Sequence, residues 1–526
     1  MIITVTFLIG LLYTNPLAFF AVLGAGLLVR ELLKYHFRYW ELQNVPGPKP
    51  SLIFGNIASN IFLRQHFAEM IDEWYSKFPN APFIGYFKIF KPSVLIRDPE
   101  MIKNVLVRDQ SCFSANDFAF DEKLDPLLAH NPFMVEGERW KKSRQLLTPI
   151  FTGSKMKQLF PIMDEISGKF VDFIGRQCGR EVEAKSISAA YTTQNVAGCA
   201  FSLDAECFEN PNSEWRVMGK KIFQPTFLAG IKFMLMLFVP YVTKLIPVPF
   251  LPREVDRWMR NLVSTLLKER QTKQPERDDQ LQSLLKTKSV EIENKTFSFI
   301  FKSLIFLSAE LTEEMIAGHS LAFFSEGFET SSTTMGFAIL HLAENPDVQE
   351  KLFQEIQRTI GKNDSPLTFD LVQQIDYLDW VLQESLRITP PAAGLQKLCT
   401  KYYCLKHEVD GKQVGTWIKP GTTVLIPIVA VHMDSKYFPE PKKFRPERFS
   451  PEEKAQRTLP VYFPFGDGPR MCLGMRFAQI QIKVGLLKLI QNFRVRVSPT
   501  YKPWQYSRNT FLTEAKDGLQ VVFERR

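Results

Sequence analysis

Residues 464–477 read PFGDGPRMCLGMRF, and this stretch decides how the rest of the chain is understood. A single thiol, Cys472, sits at the end of a Gly/Pro-rich loop, two residues after Arg470 and just before an apolar helical run. A free cysteine is often simply a buried apolar side chain. It can also be a nucleophile, because Arg470 and a following helix N-terminus would both favour the thiolate. No histidine lies close in sequence to act as its base; the nearest is His432. A lone thiolate metal ligand is the third reading. One cysteine cannot hold zinc or an iron–sulfur cluster, but it can be the sole axial protein ligand of a haem iron.

The neighbours of Cys472 favour the third reading. Gly468 permits a turn that offers backbone N–H groups to the sulfur. Gly474 lets the helix lie close to a flat ligand. Arg470 has the planar fork that suits a propionate carboxylate. Phe465 can cover the sulfur and keep it dry.

The 526 residues are 45% hydrophobic and 23% charged, which is globular in composition. Forty-five phenylalanines suit a large aromatic core or an apolar ligand pocket. The 65 basic and 56 acidic residues leave a net charge of +9, which suits a membrane surface or an acidic partner and does not call for nucleic acid. Seven cysteines with no CxxC pair argue against a disulfide framework and for a reducing compartment.

From Met1 to Val29 no side chain is charged, and Arg30, Lys34 and Arg38 follow. That run is long enough to cross a bilayer and lacks the basic start of a cleaved signal peptide. It reads as a signal anchor over residues 1–30, with the remainder cytosolic. The sequons at Asn294 and Asn363 are then expected to be unglycosylated. A basic linker and proline hinge, ending in VPGPKP, covers 31–50, and a single body covers 51–526. The apolar segment 222–252 is broken by lysines and prolines, so it is either core or a loop dipping into lipid, not a second span.

Early strand-like runs (FIGYFKIF, SVLIRD) give way to helical patterns up to about residue 390. Mixed strand and loop follows to about 440, with a helix after Cys472. The fold class is therefore mostly α with a smaller β portion (α+β). A long helix is expected over 312–343, capped by Thr312 and stopped by Asn345-Pro346. Its middle, LAFFSEGFETSSTTMGFAIL (321–340), is apolar on most faces yet carries Glu326, Glu329 and Thr330. Buried carboxylates are costly unless paired or used.

FGDGPRMCLG (465–474) resembles the cytochrome P-450 haem loop F-x-x-G-x-R-x-C-x-G at every fixed position. ESLR (384–387) resembles the family's E-x-x-R helix, and FRPERF (444–449) the segment whose arginine, here Arg448, joins that pair. WKKSR places Trp140 and Arg144 where the family has further propionate contacts. EGFET (326–330) lies where the long helix crosses the distal haem face. The resemblance runs through the anchor and the proline hinge, and details such as FFSEGFETSS are similar to insect microsomal members.

The resemblance implies a P-450 fold behind an N-terminal transmembrane helix, and haem b (iron protoporphyrin IX) with Cys472 as axial iron ligand. Such a thiolate favours O–O cleavage. Phe465, Gly468, Arg470, Gly474, Trp140, Arg144 and Lys397 would line the cofactor. Glu329 and Thr330 match the acid–alcohol pair that organises proton delivery. Glu384, Arg387 and Arg448 match a buried structural triad. The implied activity is monooxygenation. One atom of O2 enters a lipophilic small molecule, and NADPH supplies electrons through a flavin reductase, with cytochrome b5 as a second candidate donor. The implied location is the endoplasmic reticulum membrane, cytosolic face.

Two positions depart from the family pattern. Lys397 stands where Arg or His is common, and gives a point charge without a fork. Glu326 stands where Ala or Gly is commonest. A carboxylate there is expected near the haem edge, as an ester to a haem methyl or as a partner for a polar substrate group. Substrate contacts are expected from 114–133, 222–252, Phe323, Phe324, 390–396 and the turn near Thr513. Rival readings are a haem-thiolate isomerase or dehydratase that needs no reductase, and a non-catalytic haem or lipophile carrier.

Overall fold

A computed structural model describes residues 13–118, 120–223, 249–272, 279–286, 311–361, 366–409 and 411–526, together with positions 230, 231, 234, 235 and 237. Both sequons and most of 222–252 lie outside the described residues, as do residues 1–12 of the expected anchor.

The uncharged N-terminal run forms α1 (Pro16–Phe37), capped by Asn15, whose side chain accepts from the Ala18 N–H at 3.1 Å. Its 22 residues span roughly 33 Å, and the apolar part is bare of protein contacts. It is long and apolar enough to cross a membrane as a single anchor. The linker after it is fastened down. Phe37 packs edge-on against Phe87 at 4.9 Å, and the Trp40 indole donates to the Tyr86 carbonyl at 3.1 Å. Trp40 lies so close over Gly85 that no side chain fits there. The proline stretch continues this seam, with the Gly85 N–H donating to the Pro46 carbonyl at 2.9 Å.

Among the described residues, the remaining helices of ten residues or more are α2 (Phe67–Lys77), α3 (Gly137–Leu147), α4 (Gly153–Gly175), α5 (Ala184–Phe201), α6 (Glu214–Phe223), α7 (Arg253–Thr272), α8 (Glu313–Glu344), α9 (Pro346–Ile360), α10 (Asp376–Ile388) and α11 (Met475–Asn492). The strands among the same residues are β1 (Phe83–Lys88), β2 (Lys91–Ile96), β3 (Ala115–Asn116), β4 (Glu181–Glu183), β5 (Leu395–Leu398), β6 (Tyr403–Val409), β7 (Lys412–Ile418), β8 (Thr423–Ile426), β9 (Phe493–Val497) and β10 (Gln520–Arg525). The fold is mostly helical with a smaller β portion, as the sequence indicates.

One sheet has the order β1-β2-β8-β5-β3, with β2 and β8 parallel and the other pairs antiparallel. It brings Lys397 on β5 opposite Asn116 on β3. A β6–β7 hairpin stands beside it. A third sheet, β4-β10-β9, joins the chain's end to the start of α5. This sheet is absent from the sequence-based expectation, although FRVRV alternates as an edge strand should.

The helix expected over 312–343 is α8. Thr312 caps it, its hydroxyl accepting from the Met315 N–H at 3.2 Å, and Pro346 opens α9 directly after Asn345. At 32 residues it runs about 48 Å through the helical core, between α5 on one side and α11 and α7 on others. Nearly every residue from Ile316 to Ala343 is buried, which explains its lack of an amphipathic pattern.

Candidate active site

The cysteine loop is shaped by its glycines and one turn of 3₁₀ helix at Gly468–Arg470. Gly468 has φ +69°, and its missing side chain is where the Leu106 carbonyl packs. The loop therefore closes against residues 104–108. The Cys472 N–H donates to the Phe465 carbonyl at 2.9 Å, and Gly474 becomes the N-cap of α11. The N–H that points at the sulfur is that of Gly474, not one freed by the Gly468 turn.

Cys472 lies deep in the protein but presents accessible surface. Glu326, in the middle of α8, does the same. Both present surface inside the protein, and they are close enough for the carboxylate to be felt at the sulfur. Burial, and then Glu326, push the thiol up to about 11, while the Gly474 N–H and Arg144 oppose this. Burial also raises the Glu326 carboxyl, against a hydrogen bond from the Asn131 amide at 2.7 Å. Beside Gly474 a methyl group would touch only the Phe151 ring edge, at 4.0 Å, so space is open there.

Cations gather at one edge. The Arg470 guanidinium lies over the Trp140 ring at 4.2 Å and donates to the carbonyls of Pro132 and Val135 at 3.2 and 3.0 Å. Its Nε is buried without a partner. Lys397 is buried and donates to the Asn116 side chain at 2.9 Å. Burial, and then Arg470, depress the Lys397 amine to about 7, and burial lowers Arg470 to about 10. Arg144 is half-buried and donates to the Met471 carbonyl at 2.8 Å. Phe465 is partly buried against the helical core.

An accessible thiol with poorly paired cations near it is a donor set, termed the cradle here, that would suit a flat anionic cofactor such as haem.

Thr330 lies one turn after Glu326 on the same face of α8, and its hydroxyl donates to the Glu326 carbonyl at 2.8 Å. Glu329 points elsewhere. Its carboxylate takes a hydrogen bond from Lys185 of α5 at 2.6 Å, and Lys185 also holds Glu514 at 3.0 Å. These three groups line an open pocket of about 460 Å³ that includes no residue of the cysteine loop. Glu329 therefore faces an opening that it lines together with Lys185 and Glu514. Lys185 and Asn131 were not anticipated, and no local pattern marks residues paired across 144 and 195 positions.

Glu384, Arg387 and Arg448 meet in a fully buried cluster. Arg387 grips Glu384 through two bonds of 2.7 and 2.9 Å, and Arg448 adds one at 3.2 Å. Arg387 also donates to the carbonyls of His432 and Pro441.

Of the expected substrate contacts, the 390–396 loop and the Thr513 turn do meet. The Thr513 hydroxyl donates to the Pro390 carbonyl at 2.6 Å. Phe323 packs against Phe151. Phe324 does not face the cradle; it is fully buried between Trp215, Trp258 and Phe328.

A long central helix crossing above a cysteine loop, with a small mixed sheet at one side, defines a haem-thiolate class of protein. The cytochrome P450 family model matches residues 45–521. The chain is 32% identical to cytochrome P450 6a2 of Drosophila melanogaster over 518 residues, covering 96% of this chain and 99% of that one. It is 31% identical to cytochrome P450 6B6 of Helicoverpa armigera (92% and 94% covered) and 30% identical to cytochrome P450 6k1 of Blattella germanica (95% and 96%). The chain belongs to the cytochrome P450 family, and it is a P450 monooxygenase resembling insect members. The family uses haem, O2 and electrons from a redox partner on lipophilic substrates.

Proposed function

We propose that this protein is a microsomal monooxygenase that places one atom of O2 into a lipophilic small molecule, drawing electrons from NADPH through a flavin reductase. The observation that carries this reading is the accessible Cys472 sulfur, near enough to Glu326 of α8 to feel its carboxylate, with Lys397 and Arg470 paired to no carboxylate among the described residues. Haem b, bound there, would supply O2 activation. Cys472 is assigned as its axial ligand, with Phe465, Gly468 and Gly474 shaping the loop around the sulfur. Arg470, Lys397, Trp140 and Arg144 are assigned to the propionate edge.

Glu329 and Thr330 are assigned to proton delivery. Thr330 sits on the cradle face, and Glu329 is positioned to take protons from the open pocket when Lys185 releases it. Glu384, Arg387 and Arg448 are structural. We assign residues 1–30 to an endoplasmic reticulum anchor, 31–50 to a basic linker, and 51–526 to a cytosolic catalytic body that meets lipid, the reductase and cytochrome b5. Retention of Glu329, Thr330 and the thiol loop disfavours both an isomerase without a reductase and a passive carrier.

The deciding measurement is the carbon monoxide difference spectrum of the reduced protein in membranes. A strongly red-shifted Soret band in wild type, lost in Cys472→Ser, is expected. A histidine-type spectrum, or none, refutes the assignment. NADPH consumption with added reductase then separates a monooxygenase from its rivals. We assign Glu326 a polar role at the cradle, as acceptor from Asn131 and from substrate. Acid–solvent extraction is expected to release haem freely. A haem-sized mass left on the chain would show an ester instead.

A further inference from the structure

The height of the cradle must be held by something, since α8 and the cysteine loop belong to distant parts of the chain. Gln481 lies six residues into α11, roughly 9 Å along that helix from its start beside the cysteine loop. It is fully buried. Its amide donates to the Gly327 carbonyl at 3.0 Å and to the Ser331 hydroxyl at 2.8 Å. Gly327 and Ser331 are four apart on α8 and form the stripe next to Glu326 and Thr330. One side chain on the helix that follows the cysteine loop thus grips α8 beside Glu326 and Thr330.

The grip is reinforced from behind. The Tyr191 hydroxyl of α5 donates to the Gln481 carbonyl at 2.9 Å, and the Thr192 hydroxyl donates to the Phe328 carbonyl at 3.0 Å. Gly485, one turn further along α11, has Tyr191 and Met335 packed where a side chain would be. The carbonyls of Glu326, Gly327, Phe328, Glu329 and Thr330 each accept a side-chain donor. Such extra bonds loosen and bend a helix locally, so its position depends on whatever holds it.

We propose that Gln481 is a positioning residue: by donating to Gly327 and Ser331 it fixes the separation of α8 from the cysteine loop, and so how firmly the flat cofactor is held. This rests on the proposed haem site. It acts through α8 and touches neither substrate nor cofactor.

The test is haem transfer from the full-length protein to excess apomyoglobin, followed by absorbance. Three chains are compared across a pH series: wild type, Gln481→Met and Gln481→Glu. Methionine keeps the length and volume and removes the donor. Glutamate donates only while protonated, and burial raises its pKa. Gln481→Met is expected to release haem about tenfold faster than wild type at every pH, equivalent to about 1.4 kcal/mol. Gln481→Glu is expected to approach wild type at the acid end, where its single carboxyl proton still reaches the Gly327 carbonyl, and to match Gln481→Met at the alkaline end. Wild-type rates in both variants would overturn the proposal. A Gln481→Glu rate that follows Gln481→Met at all pH would overturn it too, because packing and not donation would then be at work. If Gln481→Met does not fold, the pH dependence of Gln481→Glu relative to wild type decides alone. A wild-type chain with no thiolate-type haem would instead refute the proposed function.

Discussion

Glu384 has the greatest concentration of buried charge around it, with two guanidinium groups and the Arg445 N–H on one carboxylate. A buried ion cluster gains little over an apolar one, but removing a single member strands the rest. Arg387→Met leaves Glu384 with half its hydrogen bonds and frees the carbonyls of His432 and Pro441. A loss of roughly 3–5 kcal/mol is expected by urea denaturation, with poor haem retention. A change below about 1 kcal/mol would show that the cluster is replaceable. The motifs carrying Glu384, Arg387 and Arg448 are legible one by one in the sequence. Their meeting is not, because Arg448 lies 64 residues from Glu384 and only folding brings them to 3.2 Å. Glu329 shows the same limit more sharply. Its place beside Thr330 is plain in the sequence, but that its carboxylate turns to Lys185 is a property of how α5 packs on α8.

Among the elements, α8 is the one whose ends are written most clearly. Thr312 supplies the cap, Glu313 and Glu314 meet the positive end, and Pro346 forbids continuation. Thr312→Ala removes the acceptor for the Met315 N–H. A loss of about 1 kcal/mol in thermal or urea unfolding is expected. No measurable loss would mean that tertiary packing alone holds the first turn. β9 and β10 are less legible. They are short, and their partners are β4 and each other, so no local pattern says that the chain's end closes onto the start of α5. The proline stretch after α1 reads as a stiff hinge, and its Pro46 carbonyl and Gly47 meet Gly85 of β1.

The molecule as a whole keeps four buried histidines neutral. Burial lowers His66 and His319 to about 4 and His341 and His432 to about 3. The unfolded chain protonates them near the ordinary histidine value of about 6.5. Between those limits the unfolded state binds more protons, so stability rises with pH there and is lost as pH falls below about 6.5. The melting temperature is expected to drop steadily from about pH 6.5 to about pH 4.5. A level profile across the acid range would show that these rings are not held neutral.

By itself the sequence determined the family, the apolar N-terminal helix, the span of α8 and the position of the cysteine loop. Each of these is local: a run without charge, a cap and a stop, a loop of fixed spacing. The tertiary structure alone decided that Glu326 comes near Cys472, that Lys397 and Arg470 lie together under-neutralised, and that Gln481 joins α11 to α8. Those facts depend on the distance between helices far apart in the chain. That distance follows from the packing of side chains whose partners no local pattern names.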